Sequence, residues 1–251
     1  MFRKDIDTSA AKKSSNTFVN ALKYKEKITR ARKSLPPYYF FKVFFEYFLA
    51  LICLVPFIVF TFFIFVVYKI STNGPLFFKQ IRVGQNGKFF WAYKFRTLKT
   101  GSPKVIEMGF TPLKKLENDP RVEGELGRFL RKWKIDEIPQ LINVVKGDML
   151  LLGPRPYIIE ENLHMTESHV ERFAVRPGMS GYWQALKTNL NDPDEKATLD
   201  CKYVRDLSLS LDLKIWINTF KVVFVGENFS ESTSSETEIT KKSKTIQKRA
   251  S

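Results

Sequence analysis

Between Tyr47 and Tyr68 the chain carries no charged side chain, and these 22 residues read YFLALICLVPFIVFTFFIFVVY. A helix rises about 1.5 Å per residue, so this run is long enough to cross a bilayer core of roughly 30 Å. A cleaved signal peptide is not expected, because the run begins too far along the chain, is too long and is followed by no small-residue cleavage site. The run therefore predicts a membrane helix.

Both flanks of this run are basic. Residues 1–42 carry eleven Lys or Arg, and seven more follow within about thirty residues of the run: Lys69, Lys79, Arg82, Lys88, Lys94, Arg96 and Lys99. Because basic flanks stay on the cytoplasmic side, a single crossing satisfies only one of them. Pro56 removes a backbone donor and bends or breaks the helix. We therefore predict a re-entrant membrane helix over residues 38–70 that turns at Val55-Pro56; the alternative is a kinked single-pass helix.

Around this helix we predict an α+β fold that is mainly helical, with a cytoplasmic catalytic domain over residues 71–225. Residues 1–37 form a basic N-terminal arm, either a surface helix on anionic lipid or a solvated tail. Residues 226–251 are rich in Ser, Thr, Glu and Lys and predict a disordered polar tail. Asn86-Gly87 between two aromatic-rich runs predicts a β-hairpin. Helical spacing predicts helices at 126–133, 137–146, 158–173, 199–213 and 214–225.

The formal net charge of +15 favours polyanionic partners such as nucleic acid, anionic lipid or phosphorylated substrates. Nucleic acid is not an expected partner, because the basic residues are interleaved with carboxylates and no aromatic-basic recognition motif is present. The chain has two histidines and two cysteines. A zinc site of His and Cys is therefore not expected, and a hard cation held by carboxylates is the better candidate.

Asp136 and Glu137, hereafter the dyad, begin a stretch of helical apolar spacing that Gly147 closes. We predict that Asp136 is the N-cap and that Pro139 lies in the first turn, where its missing N–H does little harm. Because a cap residue is not yet helical, the two carboxylates can approach one cation, while unpaired N–H groups favour phosphate. The alternative is an ordinary helix cap with an acidic neighbour.

A cationic loop follows the dyad, where the sequence GPRP at residues 153–156 sets Arg155 between two prolines. A rigid backbone that presents a fork-shaped guanidinium suits bidentate phosphate contacts. The sequence RPG at residues 176–178 repeats an arginine beside a proline. Phosphoryl transfer needs several such cations near one carboxylate pair. The alternative is a structural turn, with each cation a solvated surface charge. Three further cations lie in segments bounded by turn residues: Lys94, Arg96 and Arg131.

These residues resemble one family, the bacterial sugar transferases that are monotopic polyprenol-phosphate phosphoglycosyl transferases. The matching motifs run in order along residues 40–225, beginning with the proline-broken apolar run. They continue as GPLFFKQIRVGQNGKFFWAYKFRTL, GRFLRKWKIDEIPQLINVVKGDMLLLGPRP, VRPGMSGYWQ and LDCKYVRDLSLSLDLKIWINTF. The resemblance implies a re-entrant membrane helix, in agreement with the flank argument.

The resemblance also implies a reaction and a place. A phosphosugar moves from a UDP-sugar donor to polyprenol (undecaprenyl) phosphate with release of UMP, and this step initiates surface polysaccharide or glycoconjugate synthesis. Asp136 is the expected nucleophile, which forms a covalent phosphosugar intermediate. Glu137 helps hold Mg²⁺, so both members of the dyad are expected metal ligands. The expected location is the bacterial inner (cytoplasmic) membrane, with the catalytic domain facing the cytoplasm.

The resemblance assigns the cations as well. Lys94, Arg131 and Arg155 match positions that the family uses around the site. Arg96 and Arg176 lie in matching motifs and are expected to contact phosphate or nucleotide.

Three positions depart from the family pattern. Glu46 stands where an Asp is common near the start of the membrane helix, Val55 replaces the Ser that commonly precedes the breaking proline, and residues 187–189 read KTN instead of GRN. The last change puts one donor contact in doubt. The sugar, the pathway and the oligomeric state stay open. The alternative function is a membrane-anchored polybasic binding or scaffold protein without catalysis.

Overall fold

A computed structural model of the chain describes residues 24–72, 74–102, 119–162, 166–185 and 192–225. The first 23 residues of the predicted basic arm and the whole predicted tail at 226–251 lie outside the described residues. So does the departure from the family pattern at residues 187–189.

The described residues are mostly helical, with two small sheets. The α-helices are α1 (Lys25–Lys33), α2 (Tyr38–Ser71), α3 (Gly124–Lys132), α4 (Leu141–Val145), α5 (Ile159–Asn162), α6 (Tyr182–Ala185), α7 (Pro193–Arg205) and α8 (Leu209–Val225). Three 3₁₀ helices within the described residues cover Gln85–Gly87, Ile135–Gln140 and Glu167–Ala174. The strands are β1 (Phe77–Val83), β2 (Phe89–Phe95), β3 (Leu150–Leu152) and β4 (Gly178–Ser180).

Helix α2 contains the uncharged run and is the described helix that is long and apolar enough to cross a membrane. Its 34 residues stay helical through Pro56, so the re-entrant course remains a prediction. One stripe of the helix is buried against the rest of the protein, at Tyr39, Lys42, Glu46, Ala50, Phe57, Ile64 and Tyr68. The other faces expose large apolar side chains along the whole length, such as Phe44 and Phe63. An exposed apolar surface of this extent indicates a lipid environment.

A buried charge cluster joins the N-terminal half of α2 to the rest of the protein. Lys42 pairs with Glu46 one turn later and with Asp212 of α8, whose carboxylate oxygen lies 2.8 Å from the ammonium nitrogen. Glu46 also accepts hydrogen bonds from the backbone N–H groups of Leu151 and Leu152, at 2.7 and 3.2 Å. Glu46, one of the residues at which this chain departs from the family pattern, therefore holds the membrane helix against β3.

The predicted hairpin is confirmed: β1 and β2 pair antiparallel, with Val83 opposite Phe89. Asn86 and Gly87 both have positive φ, at 56° and 72°, which is the conformation that a tight Asn-Gly turn requires.

A parallel pair, β3 with β4, was not predicted. The two strands come unusually close where β3 ends, because a Cβ built on Gly178 would lie 2.0 Å from the backbone nitrogen of Gly153. Only glycine fits at this crossing. The pairing brings the segment that follows β3 next to the RPG segment, although the two are far apart in sequence.

Four predicted helices were wrong in kind or extent. Residues 137–146 are α-helical only from Leu141, because a 3₁₀ helix precedes it. Instead of one helix over 158–173, the described residues there form the short α5 and a 3₁₀ helix. The predicted helices 199–213 and 214–225 are both displaced. The first starts earlier, with Asp192 as N-cap and proline at its first position, and the break before α8 falls at residues 206–208.

Candidate active site

The dyad lies within the 3₁₀ helix Ile135–Gln140, hereafter the dyad helix, which follows α3 after a sharp turn. Lys134 makes this turn with φ of 55°, and its carbonyl accepts the N–H of Glu137 at 3.2 Å. The prediction that Asp136 is an N-cap was therefore wrong, because Lys134 occupies that position. The tighter 3₁₀ geometry still places both carboxylates in one turn beside strand β2.

Strand β2 brings Lys94 to the dyad, and the buried side-chain amide of Asn143 holds this strand in place. Asn143 of α4, fully buried, accepts the N–H of Tyr93 at 3.1 Å and donates to the carbonyl of Trp91 at 2.6 Å. These bonds fix the edge of the hairpin against the helix that continues from the dyad. The ammonium nitrogen of Lys94 then lies 2.5 Å from a carboxylate oxygen of Glu137.

Glu137 is an ionised carboxylate held by two cations. The guanidinium of Arg155 lies 3.7 Å from the oxygen that Lys94 contacts. Burial favours the neutral acid, but the charges of Lys94 and Arg155 and the hydrogen bond from Lys94 outweigh it. The pKa of Glu137 therefore lies well below its ordinary value. Glu137 is an acceptor at neutral pH.

Asp136 lies in a less favourable place for a charge. Burial raises the pKa of Asp136 above its ordinary value, and the neighbouring Glu137 adds to the rise, while Lys94 and Arg131 oppose it. Burial also disfavours the charged form of Lys94, so it lowers the pKa of Lys94, and the charges of Arg155 and Arg82 act in the same direction. A desolvated carboxylate beside several cations is the environment of a reactive group, because water does not mask its charge.

Of the five predicted cations, three lie around the dyad: Lys94, Arg131 and Arg155. Arg131 reaches this place from α3 and is held 3.4 Å from the carboxylate of Asp119. Arg96 lies elsewhere, where it donates to the carbonyl of Pro75 at 3.2 Å.

Arg176 also lies elsewhere. Its guanidinium lies beside Gly147, with a terminal nitrogen 3.8 Å from the place that a Cβ on that glycine would occupy. Its backbone N–H donates to the hydroxyl of Tyr39 on α2, at 3.1 Å.

Two cations of the site were missed by the sequence reasoning. Lys134 acts on the charge of Glu137, and its place directly before the dyad could have indicated this. Arg82 acts on Lys94 and donates to the carbonyl of Pro156 at 2.9 Å. In the register of the hairpin Arg82 is on the same face as Lys94, so the alternation along the predicted strands carried this signal.

The dyad could contribute to a magnesium site. Within the described ranges no three His, Cys, Asp or Glu side chains are grouped for a metal. Mg²⁺ at phosphate-transfer sites is usually held by one or two carboxylates together with substrate phosphate oxygens and water. Asp136 and an ionised Glu137 fit this requirement. The remaining ligands would be phosphate oxygens and water, not further protein side chains.

Comparison with known proteins identifies the family. The family model described as bacterial sugar transferase matches residues 37–226, which include the membrane helix, the dyad and every predicted cation. The chain belongs to the bacterial sugar transferase family. Within the family, the chain is 40% identical over 171 residues to the galactosyl transferase CpsE of Streptococcus agalactiae; the match covers 65% of this chain and 38% of that protein.

Two further relatives have names that state a reaction. The chain is 38% identical over 171 residues to the undecaprenyl-phosphate galactose phosphotransferase of Salmonella typhimurium, with 64% of this chain and 36% of that protein covered. It is 35% identical over 166 residues to the UDP-glucose:undecaprenyl-phosphate glucose-1-phosphate transferase of Escherichia coli, with 63% and 34% covered. The chain therefore spans little more than a third of the length of these relatives.

Proposed function

We propose that this member of the bacterial sugar transferase family moves a sugar 1-phosphate from a UDP-sugar to polyprenol (undecaprenyl) phosphate and releases UMP. The observation that carries the proposal is the cluster of Lys94, Arg131 and Arg155 around a desolvated carboxylate pair. Such a cluster suits a pyrophosphate that must approach an anion. The relatives from Salmonella and Escherichia coli, whose names state transfer of a sugar phosphate to undecaprenyl phosphate, support the same reaction.

In the first step a carboxylate oxygen of Asp136 attacks the phosphorus that carries the sugar. A new P–O bond forms to Asp136, and the bond from that phosphorus to the bridging oxygen breaks. UMP leaves with the bridging oxygen and its electron pair, and the sugar phosphate stays on the protein as an acyl phosphate. The attack needs the ionised form of Asp136, which Lys94 and Arg131 favour against the effect of burial.

In the second step an oxygen of polyprenol phosphate attacks the same phosphorus. The bond from phosphorus to Asp136 breaks, the carboxylate is restored and the product is a polyprenyl diphosphosugar. Arg155 is partly exposed, so its guanidinium can contact substrate phosphate in both steps. Lys94 and Arg131 stabilise the charge that develops on the phosphoryl oxygens.

We assign Mg²⁺ to the dyad and the donor phosphates. When bound, it neutralises part of the pyrophosphate charge and polarises the phosphoryl oxygens. Glu137, kept ionised by Lys94 and Arg155, is the side chain best suited to hold it. Chelation with EDTA is expected to stop turnover, and added Mg²⁺ is expected to restore it.

We further propose that α2 is re-entrant and that the domain faces the cytoplasm at the bacterial inner membrane. The proposal is supported by the buried stripe of α2, which runs from Tyr39 near one end to Tyr68 near the other. A domain that packs along the whole helix lies on one side of the bilayer, and the basic flanks favour the cytoplasmic side.

Cysteine accessibility tests this topology. Cys53 and Cys201 are replaced by Ser, and single cysteines are placed at Arg30 and at Pro75, both exposed. Intact spheroplasts and inverted vesicles are treated with a membrane-impermeant thiol reagent. Both positions should react from the cytoplasmic face. Reaction of the two from opposite faces would contradict the re-entrant course.

Release of UMP tests the reaction. Purified protein with Mg²⁺ and polyprenol phosphate is given a panel of UDP-sugars, and UMP is measured for the wild type and for Asp136→Asn. We expect UMP from at least one donor and none above background from the variant. Asp206→Asn, which changes an exposed carboxylate at the end of α7, is the control and should keep wild-type turnover. Near-normal turnover of Asp136→Asn would show that Asp136 is not the nucleophile.

A further inference from the structure

The loop that carries Arg155 is held at three successive backbone carbonyl groups, each of which accepts a hydrogen bond from another segment. The carbonyl of Pro154 accepts the N–H of Gly178 at 3.0 Å, that of Arg155 accepts from the side chain of Arg172 at 2.5 Å, and that of Pro156 accepts from Arg82 at 2.9 Å. Two of these donors are arginine side chains. The loop is therefore held largely by charged groups from outside its own segment.

Arg172 is a buried cation with defined partners. Its guanidinium stacks on the ring of Tyr157, with 3.5 Å between the guanidinium carbon and the ring centroid, and lies 2.7 Å from the carboxylate of Asp200. Arg172 is 3% exposed and Asp200 is fully buried. The terminal nitrogen that contacts Asp200 is the same one that donates to the carbonyl of Arg155.

Asp200 acts on the loop through Arg172. Burial raises the pKa of Asp200 to about 7, while the charges of Arg172 and Arg155 favour its ionised form. The carbonyl of Arg155 is thus held by a guanidinium that the carboxylate of Asp200 fixes from its other side. Asp200 comes from α7 and Arg172 from the 3₁₀ helix Glu167–Ala174, so two elements outside the site converge on one residue.

A buried ion pair is a poor way to gain stability, because desolvation of both charges offsets much of their attraction. Geometry gives this pair a better explanation. Arg155 has to place its guanidinium 3.7 Å from Glu137 while it remains open to a substrate. Rigid support of a side chain that contacts a reacting group is worth far more to the rate than to stability, since a misplacement of about 1 Å can cost on the order of 100-fold.

We propose that Arg172 and Asp200 are positioning residues that act through Arg155: they fix its backbone so that its guanidinium meets the donor phosphate beside the dyad. The inference rests on the proposed function for the identity of that phosphate. Arg172 is too deeply buried to contact a substrate itself.

A double-mutant cycle tests this inference on the full chain in detergent or lipid nanodiscs. The variants are Arg172→Lys, Arg155→Ala and the double variant, and the readout is kcat/KM for UMP release from an accepted UDP-sugar. Lysine keeps the charge opposite Asp200 but does not reproduce the planar fork. We expect Arg172→Lys to lower kcat/KM by about 10-fold or more in the wild type, and by less than about 2-fold when Arg155 is already Ala.

A matched control changes a second ion pair between the same two elements. Arg205 of α7 contacts Glu171 of the 3₁₀ helix at 2.6 Å, but it is exposed. Arg205→Lys should keep wild-type kcat/KM. A loss from Arg172→Lys that is equally large with and without Arg155 would overturn the inference, and so would wild-type activity of Arg172→Lys.

Two further arms keep the test decisive. If Arg172→Lys does not accumulate as folded protein, Asp200→Asn takes its place in the cycle. If Arg155→Ala has no measurable turnover, the same cycle is measured as the dissociation constant of UDP with Mg²⁺ by titration calorimetry, with the same expected pattern. Failure of the proposed function is a separate result: wild-type protein would then release no UMP from any donor.

Discussion

Substitution of Glu46 by Gln tests how the membrane helix is attached to the domain. The change keeps the size of the side chain and removes its charge. In the wild type, Glu46 pairs with Lys42 and accepts two backbone N–H groups, those of Leu151 and Leu152. In the variant, an amide NH₂ group faces an ammonium or a backbone donor. Lys42 keeps its other partner, Asp212, at 2.8 Å.

The expected cost follows from burial. Glu46 is 3% exposed, and breaking a buried ion pair by removing one partner costs about 3–5 kcal/mol. Because Lys42 still faces Asp212, we expect the lower end, about 3 kcal/mol. For a protein of this size, each kcal/mol lowers Tm by about 2–4 °C, so Tm should fall by roughly 6–12 °C.

The assay is thermal unfolding in one detergent, followed by circular dichroism at one fixed scan rate, since unfolding of such proteins is commonly irreversible. Glu125→Gln is the matched control. Glu125 pairs with Arg128, but its side chain is 89% exposed, and its variant should unfold at the wild-type temperature. A Glu46→Gln variant that unfolds within about 2 °C of the wild type would refute the reasoning.

Two further predictions concern the site, and a third concerns the close approach of β3 and β4. Lys94→Gln should raise the pKa of Asp136, because the charge of Lys94 lowers it; the acidic limb of the pH profile of UMP release then moves to higher pH, and an unmoved limb would contradict this. Arg155→Ala should raise KM for the UDP-sugar on the order of 10-fold or more, and Arg96→Ala should raise it much less; equal effects would contradict the observed placement. Gly178→Ala should abolish accumulation of folded protein, because its Cβ would overlap the backbone of Gly153. At Gly101 a Cβ meets no atom within 4 Å and only the positive φ of 78° opposes alanine, at a cost of about 1–2 kcal/mol, so Gly101→Ala should still fold.

The parts of the fold that follow from local rules could be predicted from the sequence. The hairpin was predicted because Asn86-Gly87 is a turn that few other dipeptides can form, and both residues adopt positive φ. The helix near the dyad was placed correctly but its type was wrong, because the spacing of apolar residues does not separate a 3₁₀ start from an α-helix. Lys134 at positive φ was not predictable from residue type, since lysine rarely adopts that conformation.

Non-local contacts could not be predicted in the same way. Strands β3 and β4 have three residues each, and their pairing depends on the close approach of Gly153 and Gly178. The backbone partners of Glu46 in β3 are likewise distant in sequence, so the sequence did not show why a charged residue lies in the membrane helix.

The same limit applied to the site. Arg155 and Arg176 both stand next to a proline, yet only Arg155 lies at the dyad. The backbone of Arg176 is bound instead to Tyr39 of α2. Sequence supplies the residue type, and the tertiary contacts decide which copy of a pattern is at the site.

In the proposed reaction Asp136 carries the sugar phosphate between the two steps. Intact-protein mass spectrometry tests it directly, with an accepted UDP-sugar and Mg²⁺ but no polyprenol phosphate. We expect a mass increase of one sugar phosphate, located at Asp136, released by polyprenol phosphate and missing in Asp136→Asn. UMP release that requires the acceptor, with no adduct at any time, would contradict it, as would an adduct that persists in Asp136→Asn.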